Sequence, residues 1–176
     1  MKLPHTFTKE SDNINAVIET PKDCSAKYHF DKETGSFKLK KVLVHGLVFP
    51  FPFGFIPFTH AEDGDPLDVL VLMDEPIWPG CYVECRVIGI IEAEEKEKQS
   101  NKKVRNDRVI AAAIESPAYK KLKELSSLEK DFVDEIINFF ISYTRLEEKE
   151  FTVIGQGDAD KALRVIKKLT VHGDNT

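Results

Sequence analysis

The sequence predicts an α+β fold, a five-stranded OB-like β-barrel with two packed C-terminal helices. Three observations predict it. The first two thirds of the chain hold short alternating or β-branched runs separated by turn residues. The last third holds apolar residues at helical spacing. The length of 176 residues suits one domain with a core large enough to need no staples, so residues 1–176 are expected to form a single domain.

Ala16 to Glu19 is a short apolar run ending in a carboxylate. Lys27 to Asp31 and Ser36 to Lys41 alternate polar and apolar residues around Glu33-Thr34-Gly35, which predicts a hairpin. Leu67 to Met73 and Cys81 to Glu92 read as strands, with Trp78-Pro79-Gly80 turning the chain between them. Glu94 to Arg108 is dense in Lys, Glu, Asn and Gln and predicts a solvated excursion. Arg108 to Ile114 is a further strand. Five or six such strands joined by hairpins would close a small barrel.

Ser126 and Glu129 form a capping-box pattern before the stripe Phe132, Val133, Ile136, Ile137 and Phe140, which predicts a helix from Ser126. Asp158 opens a second helix whose Ala162, Leu163, Ile166 and Leu169 face inward. Lys167 and Lys168 fall in its last turn, where they suit the helix dipole. Phe151 to Ile154 is a short strand between the helices.

The 25 Lys and Arg against 30 Asp and Glu leave a net charge of -5, which argues against a nucleic-acid partner. Phosphate remains an allowed ligand, because bound cations bring it to acidic sites. Cys81 and Cys85 on one strand would stand roughly 13 Å apart at about 3.3 Å per residue. A disulfide needs α-carbons within about 7 Å, so Cys24, Cys81 and Cys85 read as reduced thiols. Met1 to Glu10 lack the apolar stretch of a secretion leader, and no segment approaches a membrane span. A cytoplasmic protein with no membrane partner is expected.

The phenylalanines from Phe49 to Phe58, punctuated by prolines, could stack on bases, but no basic groove accompanies them. They read instead as packing beneath a site or against a neighbouring subunit. His5, His45, His60 and His172 show no ligand spacing and read as structural or surface residues.

The informative segment is Glu62-Asp63-Gly64-Asp65-Pro66-Leu67-Asp68. Carboxylates crowded around a Gly-Asp-Pro turn repel one another unless a positive charge sits among them. Hard divalent cations supply that charge and take oxygen ligands. An EF-hand is excluded, since Leu67 and Asp68 stand at its fifth and sixth positions.

Asp63-Gly64-Asp65-Pro66-Leu67-Asp68-Val69 resembles the signature of the family I soluble inorganic pyrophosphatases. The resemblance runs from about Ala16 to Leu169. It includes Val17-Ile18-Glu19-Thr20-Pro21, Lys27-Tyr28, Asp31-Lys32-Glu33-Thr34-Gly35, Pro79-Gly80, Arg86-Val87-Ile88-Gly89, and Phe139-Phe140 with Tyr143. It implies hydrolysis of pyrophosphate to two phosphates, with several Mg2+ ions in an acidic pocket, by a homo-oligomer. Mn2+ and Zn2+ are alternative ions.

Carried over by position, Asp63 and Asp68 would be metal ligands, and Asp65 would take the proton of the attacking water. Glu19 would hold a further ion, and Lys27 and Tyr143 would contact phosphate. In the charged segment, Glu94 or Glu95 and then Asn106 or Asp107 would complete the metal set. Lys41 and Arg108 would face phosphate, and His29 would look into the pocket.

This chain departs from the family at the site itself. It has His29 for a glutamate, Lys41 for an arginine, and Phe49 and Phe53 for tyrosines. It also has Asn106 for an aspartate, Arg108 for a lysine and Thr144 for a lysine. Two other readings therefore stand: a hydrolase for a nucleotide or organic diphosphate, and a non-catalytic phosphate-binding or interaction module.

Overall fold

The structure is a computed structural model that describes residues 2–98 and 102–171, so His172 lies outside the described residues. Strand β1 (Ile14–Thr20) is buried along its whole length. It pairs antiparallel with β4 (Phe53–Phe55), and Gly54 is what lets them meet. A Cβ there would stand 1.9 Å from the Val17 carbonyl oxygen, so any other residue would force the strands apart.

β4 pairs with β5 (Asp68–Leu72), and β5 runs parallel to β8 (Arg108–Ala113). β8 pairs with β6 (Tyr82–Glu97), and β6 returns to β1, so the sheet closes into a ring. β7 (Lys103–Arg105) and β9 (Lys149–Asp158) add to β6 outside that ring. β2 (Ala26–Asp31) and β3 (Ser36–Val42) form the separate hairpin foreseen from Glu33-Thr34-Gly35. Asp31 Oδ1 accepts from the Glu33 and Thr34 amides, and Gly35 takes φ +65° to complete the turn.

β1, β4, β5 and β8 are buried on both faces, which is why they read as apolar runs. In β8, Ile110 and Ala112 join one core with Phe49, Ile136 and Phe140. Val109, Ala111 and Ala113 join another with Ile14, Val69 and Ile166. Helix α1 (Lys130–Arg145) closes the first core and α2 (Ala159–Leu169) the second. Asp158 caps α2, accepting from the Lys161 amide at 2.8 Å. Among the described residues no helix is long and apolar enough to cross a membrane, and the three cysteines are free.

Three local expectations are corrected. Ser126 does not cap α1: residues Leu125–Ser127 form a 3-10 turn, and the helix starts at Lys130 after Glu129. Leu125 buries against Gly89, and burying a leucine, at about 1.5–3 kcal/mol, outweighs a cap of about 1 kcal/mol.

The connections are not all hairpins. The Trp78–Gly80 turn forms, but β5 and β6 do not pair, because β5 lies between β4 and β8.

Nor is Glu94 to Arg108 a solvated excursion. Its described residues extend β6 and build β7, with Lys103 paired to Glu94 at 3.0 Å and Arg105 to Glu92 at 2.6 Å. Ion pairing and the ladder, rather than water, satisfy those charges. The short strand foreseen at Phe151 is the longer β9, whose every residue pairs or bulges against β6.

Candidate active site

The loop before β5 is tied at both ends. Ala61 N donates to Asp65 O at 2.8 Å, and Gly64 turns the chain at φ +92°. Asp65 N donates to Asp63 Oδ1 at 3.1 Å, and Leu67 N donates to the buried Thr59 hydroxyl at 2.8 Å. Asp68 then starts β5 directly beside Arg108, the first residue of β8. Parallel pairing of these strands is what brings two distant charges into one layer.

The Arg108 guanidinium, almost wholly buried, reaches Asp68 Oδ2 at 2.7 Å and Glu95 Oε1 at 3.0 Å. It also donates to Asn106 Oδ1 and stands over the rings of Phe140 and Phe151. Glu95 Oε2 meets Lys149 at 3.2 Å. Asp107, in the two-residue link between β7 and β8, is held elsewhere. Its Oδ1 accepts from Ala93 N at 3.0 Å and from Arg105 Nε at 2.6 Å. Asn106, not Asp107, therefore lines the cleft.

Across the cleft, buried Glu19 accepts from Phe30 N at 2.7 Å and faces His29 Nδ1 at 3.3 Å. That hydrogen bond raises the His29 pKa and favours imidazolium. Lys27 donates to the Tyr143 hydroxyl, which in turn donates to Glu147 Oε1 at 2.8 Å. Lys41 pairs with the same Glu147 oxygen at 2.7 Å and lies over the Tyr143 ring. Lys41 thus sits behind Glu147, and Lys40 is the β3 lysine that lines the cleft.

Burial works against ionisation of Glu147, but Lys41, Lys27 and the Tyr143 hydroxyl outweigh it and hold the carboxyl at about 2. Burial lowers the Lys27 pKa against the pull of Asp68 and Glu147. It raises that of Tyr143 well above the usual phenol range. Thr144 is turned into α1, donating to Phe140 O at 2.8 Å, and does not reach the cleft. Phe49 packs on Phe53, Phe139 and Tyr143, so this part of the aromatic run lies beneath the site.

The cleft encloses about 90 Å³ and brings together Glu19, Lys27, His29, Asp63, Asp65 and Asp68 with Glu95, Asn106, Arg108 and Tyr143. Burial pushes the Asp68 carboxyl up to about 6, against the opposing pull of Arg108 and Lys27. Burial raises Asp63 too, against the hydrogen bond from Asp65 N. Both shifts come from burial, which penalises the charged carboxylates.

Sequence reasoning missed Glu147, Lys149, Lys40 and Lys32. For Glu147 a signal existed, since it stands four residues beyond Tyr143, in the turn that follows α1.

The model of the family described as "Inorganic pyrophosphatase" matches residues 16–172. An inorganic pyrophosphatase of Synechocystis is 37% identical over 155 residues, 88% of each chain. One of Halalkalibacterium halodurans is 39% identical over 153 residues, 87% of this chain and 90% of its own. The crystal structure of inorganic pyrophosphatase from Thermus thermophilus superposes with a TM-score of 0.85 at 33% identity, covering 96% of this chain and 94% of its own. That from Helicobacter pylori gives 0.84 at 31% identity, covering 97% of both.

Proposed function

The chain belongs to the inorganic pyrophosphatase family, and from that premise we propose that it hydrolyses inorganic pyrophosphate to two phosphates in the cleft at the start of β5 and β8. The observation that carries this reading is the convergence of the Asp63–Asp68 loop with Lys27, Tyr143 and Arg108 around one small space. A cleft of about 90 Å³ suits a compact inorganic anion. Pockets for drug-sized ligands run to roughly 300–1,000 Å³. We read the closed ring of strands beneath it as the OB-like barrel of a single domain, residues 1–176.

The residues present fit Mg2+. The donors are carboxylate and amide oxygens, the hard ligands that Mg2+ takes. Among the described residues no three carboxylate, imidazole or thiolate groups converge as a closed cage. Mg2+ needs none, because it keeps several waters and is held by one or two carboxylates plus substrate phosphate. Asp63 and Asp68 would hold one such ion and Glu19 a further one, with Asp65 and Asn106 beside them; Mn2+ has the same preferences. Glu95 has both oxygens engaged by cations. Bound divalent ions supply an acidified water and neutralise phosphate charge.

The chain's own residues do the rest. Asp65, exposed at the cleft rim, takes the proton of the attacking water on a carboxylate oxygen. Lys27, with the Tyr143 hydroxyl, orients one phosphate, and Lys40 and Lys149, which also line the cleft, add positive charge. The free cysteines and the net charge of -5 support a cytoplasmic setting without a nucleic-acid partner. Exposed Val42, Val44, Trp78 and Tyr82 supply apolar surface for a homo-oligomer.

Phosphate release from pyrophosphate, with Mg2+, Mn2+ and Zn2+ in turn, tests the proposal. Turnover is expected with Mg2+ and is expected to fall at least a hundredfold in Asp65→Asn. No turnover with any ion would sink it. A depression of about 380 Å³ adjoins the cleft along Glu62, Glu97 and Val104 and favours a second reading, an organic diphosphate. Faster release from nucleoside diphosphates than from pyrophosphate would select that reading.

A further inference from the structure

Arg108 is placed unlike the other cations of the cleft. Its side chain is 4% exposed, and its fork spans two carboxylates, Asp68 at 2.7 Å and Glu95 at 3.0 Å. Lys27, Lys40 and Lys149 are more open, single-point cations. The fork is also held from behind. The NH1 group contacts the carbonyl oxygens of Asn106 at 3.3 Å and Asp107 at 3.2 Å. The rings of Phe140 and Phe151 flank the guanidinium at 5.4 and 5.5 Å. Its Nε has no hydrogen-bond partner among the described residues, so the NH groups alone fix its aim.

We propose that Arg108 is a resident cation that takes the place of a divalent ion between Asp68 and Glu95, so that this chain loads fewer ions before substrate than its carboxylates would otherwise call for. The inference rests on the pyrophosphatase reading for its purpose, and on geometry for its content.

Charge balance supports it. Asp68 and Glu95 face Arg108 and Lys149, so the pair is neutralised with no added ion. Both Glu95 oxygens are taken, one by each cation, which leaves none facing the cleft unpaired. Asn106 completes the arrangement, because its amide oxygen accepts from the guanidinium without adding a third negative charge. A guanidinium does not deprotonate in a protein, so this charge is permanent. A divalent ion entering between the same carboxylates would meet it at contact distance and be repelled. Asp68 Oδ1, Asp63 and Asp65 remain on the loop side for ions that do load.

The test is direct ion binding to substrate-free protein, by Mn2+ electron paramagnetic resonance and Mg2+ calorimetry. Arg108→Gln removes the charge at similar length. It is expected to bind one further Mn2+ per chain, or to bind Mn2+ at least tenfold more tightly. Unchanged or weaker binding would overturn the proposal.

If that variant does not fold, Arg108→Lys and Glu95→Gln decide. Arg108→Lys keeps one charge without the fork and is expected to bind Mn2+ a few-fold more tightly than wild type. Glu95→Gln is expected to keep the wild-type ion count, and loss of an ion there would make Glu95 a ligand and overturn the proposal. Absent pyrophosphate turnover with this ion-binding pattern intact would refute the functional reading alone.

Discussion

Single side chains divide the cations in and behind the cleft into two groups. Arg108 and Lys41 are paired with carboxylates, whereas Lys27 donates to a phenol hydroxyl and lies over the Phe53 and Tyr143 rings. Glu147 is the acid that makes this division on the β3 side, since one of its oxygens serves both Lys41 and Tyr143. Replacing it by glutamine keeps the hydroxyl contact but frees the Lys41 charge for phosphate. Glu147→Gln is therefore expected to lower KM for pyrophosphate several-fold and to strengthen inhibition by product phosphate. Steady-state kinetics with added phosphate checks this. A raised KM would mean that Glu147 instead holds Lys41 and Tyr143 in their working positions. Nothing in the local sequence marks Glu147 beyond its spacing from Tyr143, because its partner on β3 is more than a hundred residues away.

Secondary-structure elements position the site through close strand contact. β1 carries Glu19, β5 starts with Asp68, and β4 lies between them. Gly54 sets the β1–β4 spacing, with the Val17 carbonyl occupying the space of a Cβ. Gly54→Ala is expected to destabilise the fold by about 1–3 kcal/mol or more, as overpacking does. Urea unfolding monitored by circular dichroism measures it, and a loss below about 0.5 kcal/mol would show that the strands part freely. Elements with local causes were legible in the sequence: the Asp31–Gly35 turn, the Asp158 cap and the apolar face of α2. The start of α1 was not, because burial of Leu125 overrode a capping pattern that was locally sound.

Across the whole molecule, the proposed metal role of Asp68 predicts a link between stability and ion binding. Its carboxyl in the folded chain sits at about 6, above the ordinary 3.8, because burial penalises the charged form. The folded state therefore prefers the protonated group. The cost of ionising it is absent below about pH 4 and complete above about pH 6, on the order of 3 kcal/mol. Glu147 has the opposite sign, held at about 2, and its contribution is already full above the ordinary value of 4.5. Between about pH 5 and 6, Asp68 thus sets the trend, and above that the raised His29 pKa acts in the same direction. Ion-free protein is expected to lose Tm as pH rises through about 6, and saturating Mg2+ is expected to raise Tm more at pH 7.5 than at pH 5. Thermal unfolding with and without chelator checks both, and an equal gain at the two pH values would refute the link.

By itself the sequence determined the α+β class, the hairpin, both helices and the acidic loop from Asp63 to Asp68. Each of these depends on neighbours a few residues apart, where periodicity, turn chemistry and charge crowding act. Tertiary structure alone decided that β5 runs parallel to β8, which sets Asp68 against Arg108, and that Asn106 rather than Asp107 faces the cleft. It also turned a charged stretch, read as solvated, into paired strand with Glu95 and Arg108 buried. The physical reason is that register is a contact between distant segments. Composition, for its part, does not distinguish a charge dissolved in water from one neutralised by a partner far along the chain.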